Sequence, residues 1–233
     1  MRASLHALDR DSVLDDVRSA LGRRTTLSPK PLEPFSEPTS EADAATLVAL
    51  FTQEATAVRA QVHYLFDKLQ FVEKIVELCA NQSGEVAISG AELFREIDLA
   101  GVLVERGLST FAGNEASHED LITRLANCGV GVTAADYAIA ETGTIVLSSD
   151  EPNSLLVSLL PPLHIAVLRS SQIIASLDQV ISKLIHERIG RVDPTRSVSF
   201  ITGPSRTGDI ELTLSIGVHG PKELHVIILD SEQ

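Results

Sequence analysis

CGVGVTAADYAIAETGTIVLSS, Cys128 to Ser149, is the densest run of small and apolar residues in the chain, and its reading decides the fold. Val130, Val132, Tyr137, Ile139, Ile145, Val146 and Leu147 favour strand, because β-branched and aromatic side chains suit a pleated, half-buried surface. Gly129, Gly131 and the turn Glu141-Thr142-Gly143-Thr144 are the interruptions. Two acids, Asp136 and Glu141, sit inside this otherwise uncharged run. A carboxylate in apolar surroundings is costly unless it is paired, hydrogen-bonded or protonated. Glu141 is followed by two hydroxyls and by a glycine free to take φ > 0. The stretch predicts a buried strand, a tight polar turn carrying Glu141, and a second buried strand, with the turn as a site floor.

Downstream, Ser154 caps a short helix over 155–160, ended by Pro161 and Pro162. Leu163 to Leu168 is a continuous apolar run of strand length, consistent with burial on both faces. Ser176 caps a further helix with Leu177, Val180, Ile181, Leu184 and Ile185 on its buried side. Ser197 to Thr202 and Leu224 to Leu229 read as strands. Upstream, Ser117 caps a helix that stops at Gly129. Glu85 to Ser89 reads as a short strand, and 72–80 as a helix with Cys79 near its buried side. Residues 91–107 mix helix and loop, with Leu103-Val104 open to either strand or helix. The spacing of Leu47, Leu50, Phe51, Val58, Val62, Leu65, Phe66 and Leu69 predicts helix from about Glu41 to Leu69. Helices alternating with buried strands mean an α/β layered fold with a largely parallel sheet.

Pro29, Pro31, Pro34 and Pro38 forbid regular helix over 25–40. This predicts an N-terminal helical arm over 1–24, with a helix from Asp11 to Leu21, then a proline-rich linker over 25–40 and one globular domain over 41–233. The 44% hydrophobic content supports a substantial core, which must be aliphatic because Trp is absent and there are only two Tyr. A formal net charge of −13 argues against a general nucleic-acid or anionic-membrane binder, since either needs a basic face. Cys79 and Cys128 are too few to hold an iron–sulfur cluster or a structural zinc within the chain. The seven histidines show no metal-ligand spacing, so no metal is expected. No apolar run approaches a membrane span and no signal peptide is visible, which makes the cytoplasm the expected location.

Sites in parallel α/β sheets lie in loops beyond the carboxyl ends of strands. Two loops have that character. One is Glu141 to Thr144. The other, GPSRTGDIE from Gly203 to Glu211, combines glycines, the hydroxyls of Ser205 and Thr207, and the Arg206 guanidinium. That chemistry suits a phosphate or carboxylate, with Asp209 and Glu211 steadying Arg206. An Arg206–Asp209 pair that merely closes the loop is the competing reading, and local chemistry does not separate the two. The Walker spacing is absent, and Gly129-x-Gly131 lacks the third glycine of a dinucleotide fingerprint. His219, in Gly217-Val-His-Gly-Pro221, offers an acid–base or anion-donating group beside that loop. His164, inside an apolar strand, reads as a satisfied core histidine. His63 reads as a helix-surface or interfacial one.

Taken together, ADYAIAETGTIVL (135–147), PPLHIAV (161–167), FITGPSRTGDIE (200–211) and GVHGP (217–221) closely resemble the LutC/YkgG family of lactate-utilisation proteins, the LUD domain. The opening DRDSVLDDVRSALGRR also resembles that family's arm. The resemblance implies a fold of the NagB/RpiA/CoA-transferase group. It implies action with two iron–sulfur partner proteins in the oxidation of L-lactate to pyruvate, the clusters residing on the partners and no cofactor being fixed by this chain's cysteines. In related CoA-transferases a glutamate in a strand-end turn is the nucleophile. Glu141 resembles that position by context, although this chain lacks the two-domain transferase arrangement. The residues carried over are Glu141 and His219 as a catalytic pair. Thr142, Gly143, Thr144, Ser205, Arg206, Thr207, Asp209, Glu211 and Gly220 are carried over as a ligand pocket for a small anion or a cofactor phosphate. Two other functions stand beside the lactate-oxidation subunit: a free-standing enzyme of the same fold group using Glu141, and a metabolite-sensing regulatory module.

Overall fold

The computed structural model of the chain describes residues 10–20, 42–112, 118–148, 154–188, 197–208 and 214–230. The chain divides into two compact units, Met1–Ser36 and Glu37–Gln233. In the first, α1 (Arg10–Ala20) carries an exposed Arg18–Asp15 pair at 2.9 Å one turn apart. The proline-rich segment 25–40 lies outside the described residues.

The second unit begins with α2 (Ala44–Ala57), capped by the Asp43 carboxylate, which accepts from Thr46 N–H at 2.7 Å. It continues through β1 (Gln61–Leu65), α3 (Lys68–Cys79), β2 (Val86–Ile88), α4 (Glu92–Glu96), α5 (Leu99–Glu105) and β3 (Thr110–Ala112). Then come α6 (His118–Ala126), β4 (Val130–Ala134), β5 (Tyr137–Ile139), β6 (Thr144–Ser148), α7 (Ser154–Leu159) and β7 (Leu163–Arg169). The remainder is β8 (Ile173–Ile174), α8 (Leu177–Arg188), β9 (Val198–Ile201), β10 (Arg206–Gly208), β11 (Leu214–Ile216) and β12 (Glu223–Leu229).

Six strands form a sheet in the order β1-β12-β7-β4-β2-β3, parallel throughout. Its central strands are apolar on both faces, as a sheet covered on both sides requires. Side chains alternate along them. Val130, Val132, Leu163, Ile165 and Val167 pack against Phe71, Ile75, Phe94, Leu99 and Leu103 of α3, α4 and α5. On the opposite face Ala166, Leu168, Val226 and Ile228 meet Phe51 and Ala55 of α2 and a second sheet. That second sheet runs β8-β5-β6-β9, with β5-β6 and β6-β9 antiparallel. Val180 and Leu184 of α8 cover its other face, against Ile139, Val146 and Ile174.

The organising stretch therefore spans two sheets: β4 joins the parallel one, and the strands flanking Glu141 form a hairpin in the mixed one. The helix predicted to Leu69 ends at Ala57. Ala60 N–H bonds Ala55 C=O at 2.9 Å, Arg59 turns into the left-handed region at φ 72°, and the chain leaves as β1. Val62 and Leu65 satisfy helical spacing equally well, but pairing with β12 from Gln61↔His225 to Leu65↔Leu229 supplies the backbone partners that decide for strand. His63 accordingly lies on a strand, stacked on His225 with ring centroids 5.3 Å apart. The Leu103-Val104 ambiguity resolves to helix, in α5.

Candidate functional site

The two predicted loops meet at one end of the second sheet. After β5, residues 140–142 make a single tight helical turn, and Gly143 takes φ +61° to start β6. A Cβ on Gly143 would lie 2.2 Å from Ala55 N, so only glycine lets the end of α2 come this close. Gly203, at φ +77°, meets the same segment: its Cβ would lie 2.3 Å from Val58 O. The β6–β9 register, Ile145↔Ile201, places Thr144 beside Thr202. Thr142 Oγ1 to Thr144 Oγ1 and Thr144 Oγ1 to Thr202 Oγ1 are both 2.8 Å, a chain of three hydroxyls that ties the first loop to the second.

Beyond β9 lies a cavity of about 210 Å³. Ser205, His219 and Gly220 line it, with Thr202 and Gly203 on one side and Ser158 and His164 from the parallel-sheet side. Ser205 is clamped by its backbone: its N–H donates to Pro221 C=O, and its C=O accepts from Gly217 N–H, both at 2.9 Å. Gly220 lies so close that an added Cβ would be 3.1 Å from Ser205 Cβ. Among the described residues no aspartate or glutamate lines this cavity, in a chain of net charge −13. A wider hollow shares His219 and Gly220 and adds Lys222.

Pro161, Pro162 and β7 bring in His164, which is buried. One ring nitrogen, Nε2, lies 2.8 Å from the buried Thr133 hydroxyl on the adjacent strand β4. Loss of hydration holds the imidazole's pKa down to about 3, so it is neutral at physiological pH.

Glu141 stands apart from this cavity. Its side chain is exposed rather than buried among apolar groups, and its carboxylate accepts Leu177 N–H at 2.8 Å, at the N-terminus of α8. Its own N–H donates to Ala175 C=O at 3.1 Å. It thus caps α8 on the β8 side of the sheet, where a carboxylate favours the helix dipole, and it is not among the cavity's lining residues. The partly buried Asp136 accepts Ser148 N–H across the hairpin. Arg206 opens β10; it is exposed and has no ion pair among the described residues. Thr207 pairs with Ser215 in the β10–β11 hairpin. Asp209 and Glu211 lie outside the described residues.

Sequence reasoning did not single out Thr202, Ser158, Thr133 or a site role for His164. Thr202 lies within the FITGPSR string, and its alternation with Ile201 was the available signal. The partner of His164 is 31 residues away and shows only in the fold. Among the described residues no cluster of three or more His, Cys, Asp or Glu is arranged to hold a metal. No helix among them is long and apolar enough to cross a membrane.

The LUD domain family profile matches residues 48–229, which include every element of the site. A protein of Bacillus licheniformis named lactate utilization protein C is 34% identical over 152 residues, 63% of each chain. One of the same name from Halalkalibacterium halodurans is 28% identical over 228 residues, 95% of this chain and 97% of that one. An Escherichia coli protein named uncharacterized protein YkgG is 29% identical over 229 residues, 95% and 99% of the two chains. Among solved structures, a DUF162 family protein from Deinococcus radiodurans superposes with a TM-score of 0.58 at 19% identity, over 81% of this chain and 99% of that one. That likeness shows a shared fold.

Proposed function

The chain belongs to the LUD domain family, and from that premise we propose that it serves lactate utilisation, as a subunit of an assembly that oxidises L-lactate to pyruvate. In this reading two iron–sulfur proteins carry the electrons, and this chain contributes a pocket for a small anion or a cofactor phosphate. The observation that carries the reading is the cavity lined by Ser205, His219 and Gly220, free of acids among the described residues and tied to the Glu141–Thr144 turn through three threonine hydroxyls. Small polar donors, with Lys222 bordering the adjoining hollow, suit an anion. The cavity is small beside the roughly 300–1,000 Å³ of drug-sized pockets. It fits a metabolite of a few heavy atoms better than an enclosed nucleotide.

Within this proposal, Glu141 holds α8 against the second sheet, and Ser205 and His219 touch ligand. A free-standing enzyme with Glu141 as nucleophile would need that carboxylate released from Leu177 N–H. The test is lactate-dependent reduction of an electron acceptor by the two iron–sulfur partners, with and without this chain, and with Ser205→Ala, His219→Ala and Glu141→Ala. Activity that needs the chain and falls at least tenfold with Ser205→Ala or His219→Ala supports the reading. Partners fully active alone would overturn it. Loss confined to Glu141→Ala, with α8 intact, would favour the free-standing enzyme.

A further inference from the structure

His164, inside an apolar strand, is a buried polar group on the wall of the cavity. His164 is 1% exposed and Thr133 0%, so their hydrogen bonding has to close among protein groups or with a ligand. Among the described residues the Thr133 hydroxyl has a single partner, His164 Nε2. A buried hydroxyl is best satisfied by donating its proton to an acceptor. With the hydroxyl donating, Nε2 is the unprotonated nitrogen and the ring proton sits on Nδ1. Nδ1 has no protein partner among the described residues, and it is not among the fully enclosed unsatisfied atoms. It is consequently reachable from the cavity that His164 lines.

We propose that His164 is a ligand-contacting residue, with Nδ1–H donating to the carbonyl or hydroxyl oxygen of a short carboxylic acid whose carboxylate lies outward, by Ser205 and His219. Thr133 is the positioning residue that fixes the tautomer. The proposal rests on the reading of this cavity as the site, and it adds the ligand's direction. The floor offers one uncharged donor and no cation, so it suits a neutral oxygen; the depth would leave a phosphate dianion unpaired. A carboxylate finds a hydrogen-bond donor toward the mouth in the exposed His219 and a cation in Lys222, which borders the adjoining hollow. An imidazole that stays uncharged through the physiological range donates without becoming a general acid, and so can orient a substrate oxygen without protonating it.

The experiment uses the full chain labelled with ¹⁵N at histidine, titrated with pyruvate, L-lactate and inorganic phosphate. Before ligand, the His164 signals should report the Nδ1–H tautomer. Pyruvate or L-lactate should move the Nδ1–H resonance along a saturable curve, and phosphate should not. His164→Phe, which keeps a planar ring and removes the donor, should weaken that binding at least tenfold, and His164→Asn, which is smaller and keeps an N–H, should weaken it less. Thr133→Val should change the tautomer signature and weaken binding, with Thr133→Ser restoring both. An Nε2–H tautomer in the unliganded protein would overturn the proposal. So would carboxylate binding that is sensitive to Ser205→Ala but leaves the His164 signals and the His164→Phe affinity unchanged; the cavity would then stand as the site without this residue. Failure of all three probes to bind, with the partner proteins present or absent, would overturn both the cavity reading and the role of His164.

Discussion

Replacing Gly143 by alanine tests how α2 is locked to the site. The residue sits at φ +61°, where any L side chain costs about 1–2 kcal/mol. The new Cβ would also lie 2.2 Å from Ala55 N and 2.5 Å from Ala55 Cα, backbone atoms of a buried helix end that cannot rotate away. Overpacking of this kind costs about 1–3 kcal/mol more. The sum, about 2–5 kcal/mol, corresponds to a fall in Tm of roughly 4–20 °C for a domain of this size. Gly107 supplies the control: it has φ +84°, but a Cβ there meets nothing within 4 Å. Gly107→Ala should therefore show the conformational part alone, about 1–2 kcal/mol. Urea unfolding followed by circular dichroism gives both values, and their difference isolates the contact with α2. A difference within about 0.5 kcal/mol, the scatter of neutral surface changes, would refute the claim that this glycine is there for close approach.

Thr144→Val breaks both links of the hydroxyl chain and should cost about 1–3 kcal/mol in urea unfolding; a change inside the error of the measurement would mean the three hydroxyls do not hold the loops together. Stability should fall as pH drops from 7.5 to 5.5. His63, His164 and His225 all have folded pKa values below 6.5, burial being the first cause in each, so the unfolded chain binds more protons in that window. The stabilisation is fully present above the unfolded pKa near 6.5 and is lost below it. His164 alone accounts for about 1 kcal/mol at pH 5.5, and urea midpoints that stay level across this range would contradict the assignment. Burial pushes the Cys79 and Cys128 thiols up to about 11, so a thiol reagent at pH 8 should label them only as fast as the protein opens. Labelling at the rate of a free thiol would show one of them to be accessible.

Legibility followed the range of the interaction. β7, β12 and α8 were readable because a continuous apolar run or a one-sided helical stripe is a local property, although Leu177 and Ile185, read onto the buried side of α8, are exposed. β3, β8 and the β10–β11 hairpin, two or three residues per strand, carry too few side chains to show a period. Membership of a sheet was not readable either. β5 and β6 look like core strands of the parallel sheet, and what separates them from β4 is the turn at Ala135 and Asp136, which moves the chain to another layer. The end of α2 failed for a related reason: Val58, Val62 and Leu65 fit helix and strand alike, and pairing with a strand 164 residues downstream decides. The motif glycines and threonines stand out in the sequence because turns and small residues are conspicuous. The capping contact of Glu141 was not legible because the Leu177 N–H that its carboxylate accepts is 36 residues away.

The distribution of buried polar groups argues that the cavity is more than a packing defect. Among the described residues eight polar side chains are buried: Ser89, Thr133, Thr144, Ser148, Ser158, His164, Ser170 and His225. Ser158 and His164 line the cavity, Thr133 bonds His164, and Thr144 bonds Thr202, which also lines it. Half of the buried polar set thus converges on one small space. A core shaped by stability alone would fill it with aliphatic groups, since each polar group left short of a partner costs about 1–3 kcal/mol. Elsewhere between the sheets the chain does so, with Ala138, Ala166, Ile145, Leu147 and Val226 packed together. The same interlayer therefore contains a dry part built from alanine and branched residues and a polar part at one end. Stability explains the first; the ligand proposed above, by completing the hydrogen bonding of His164, would explain the second.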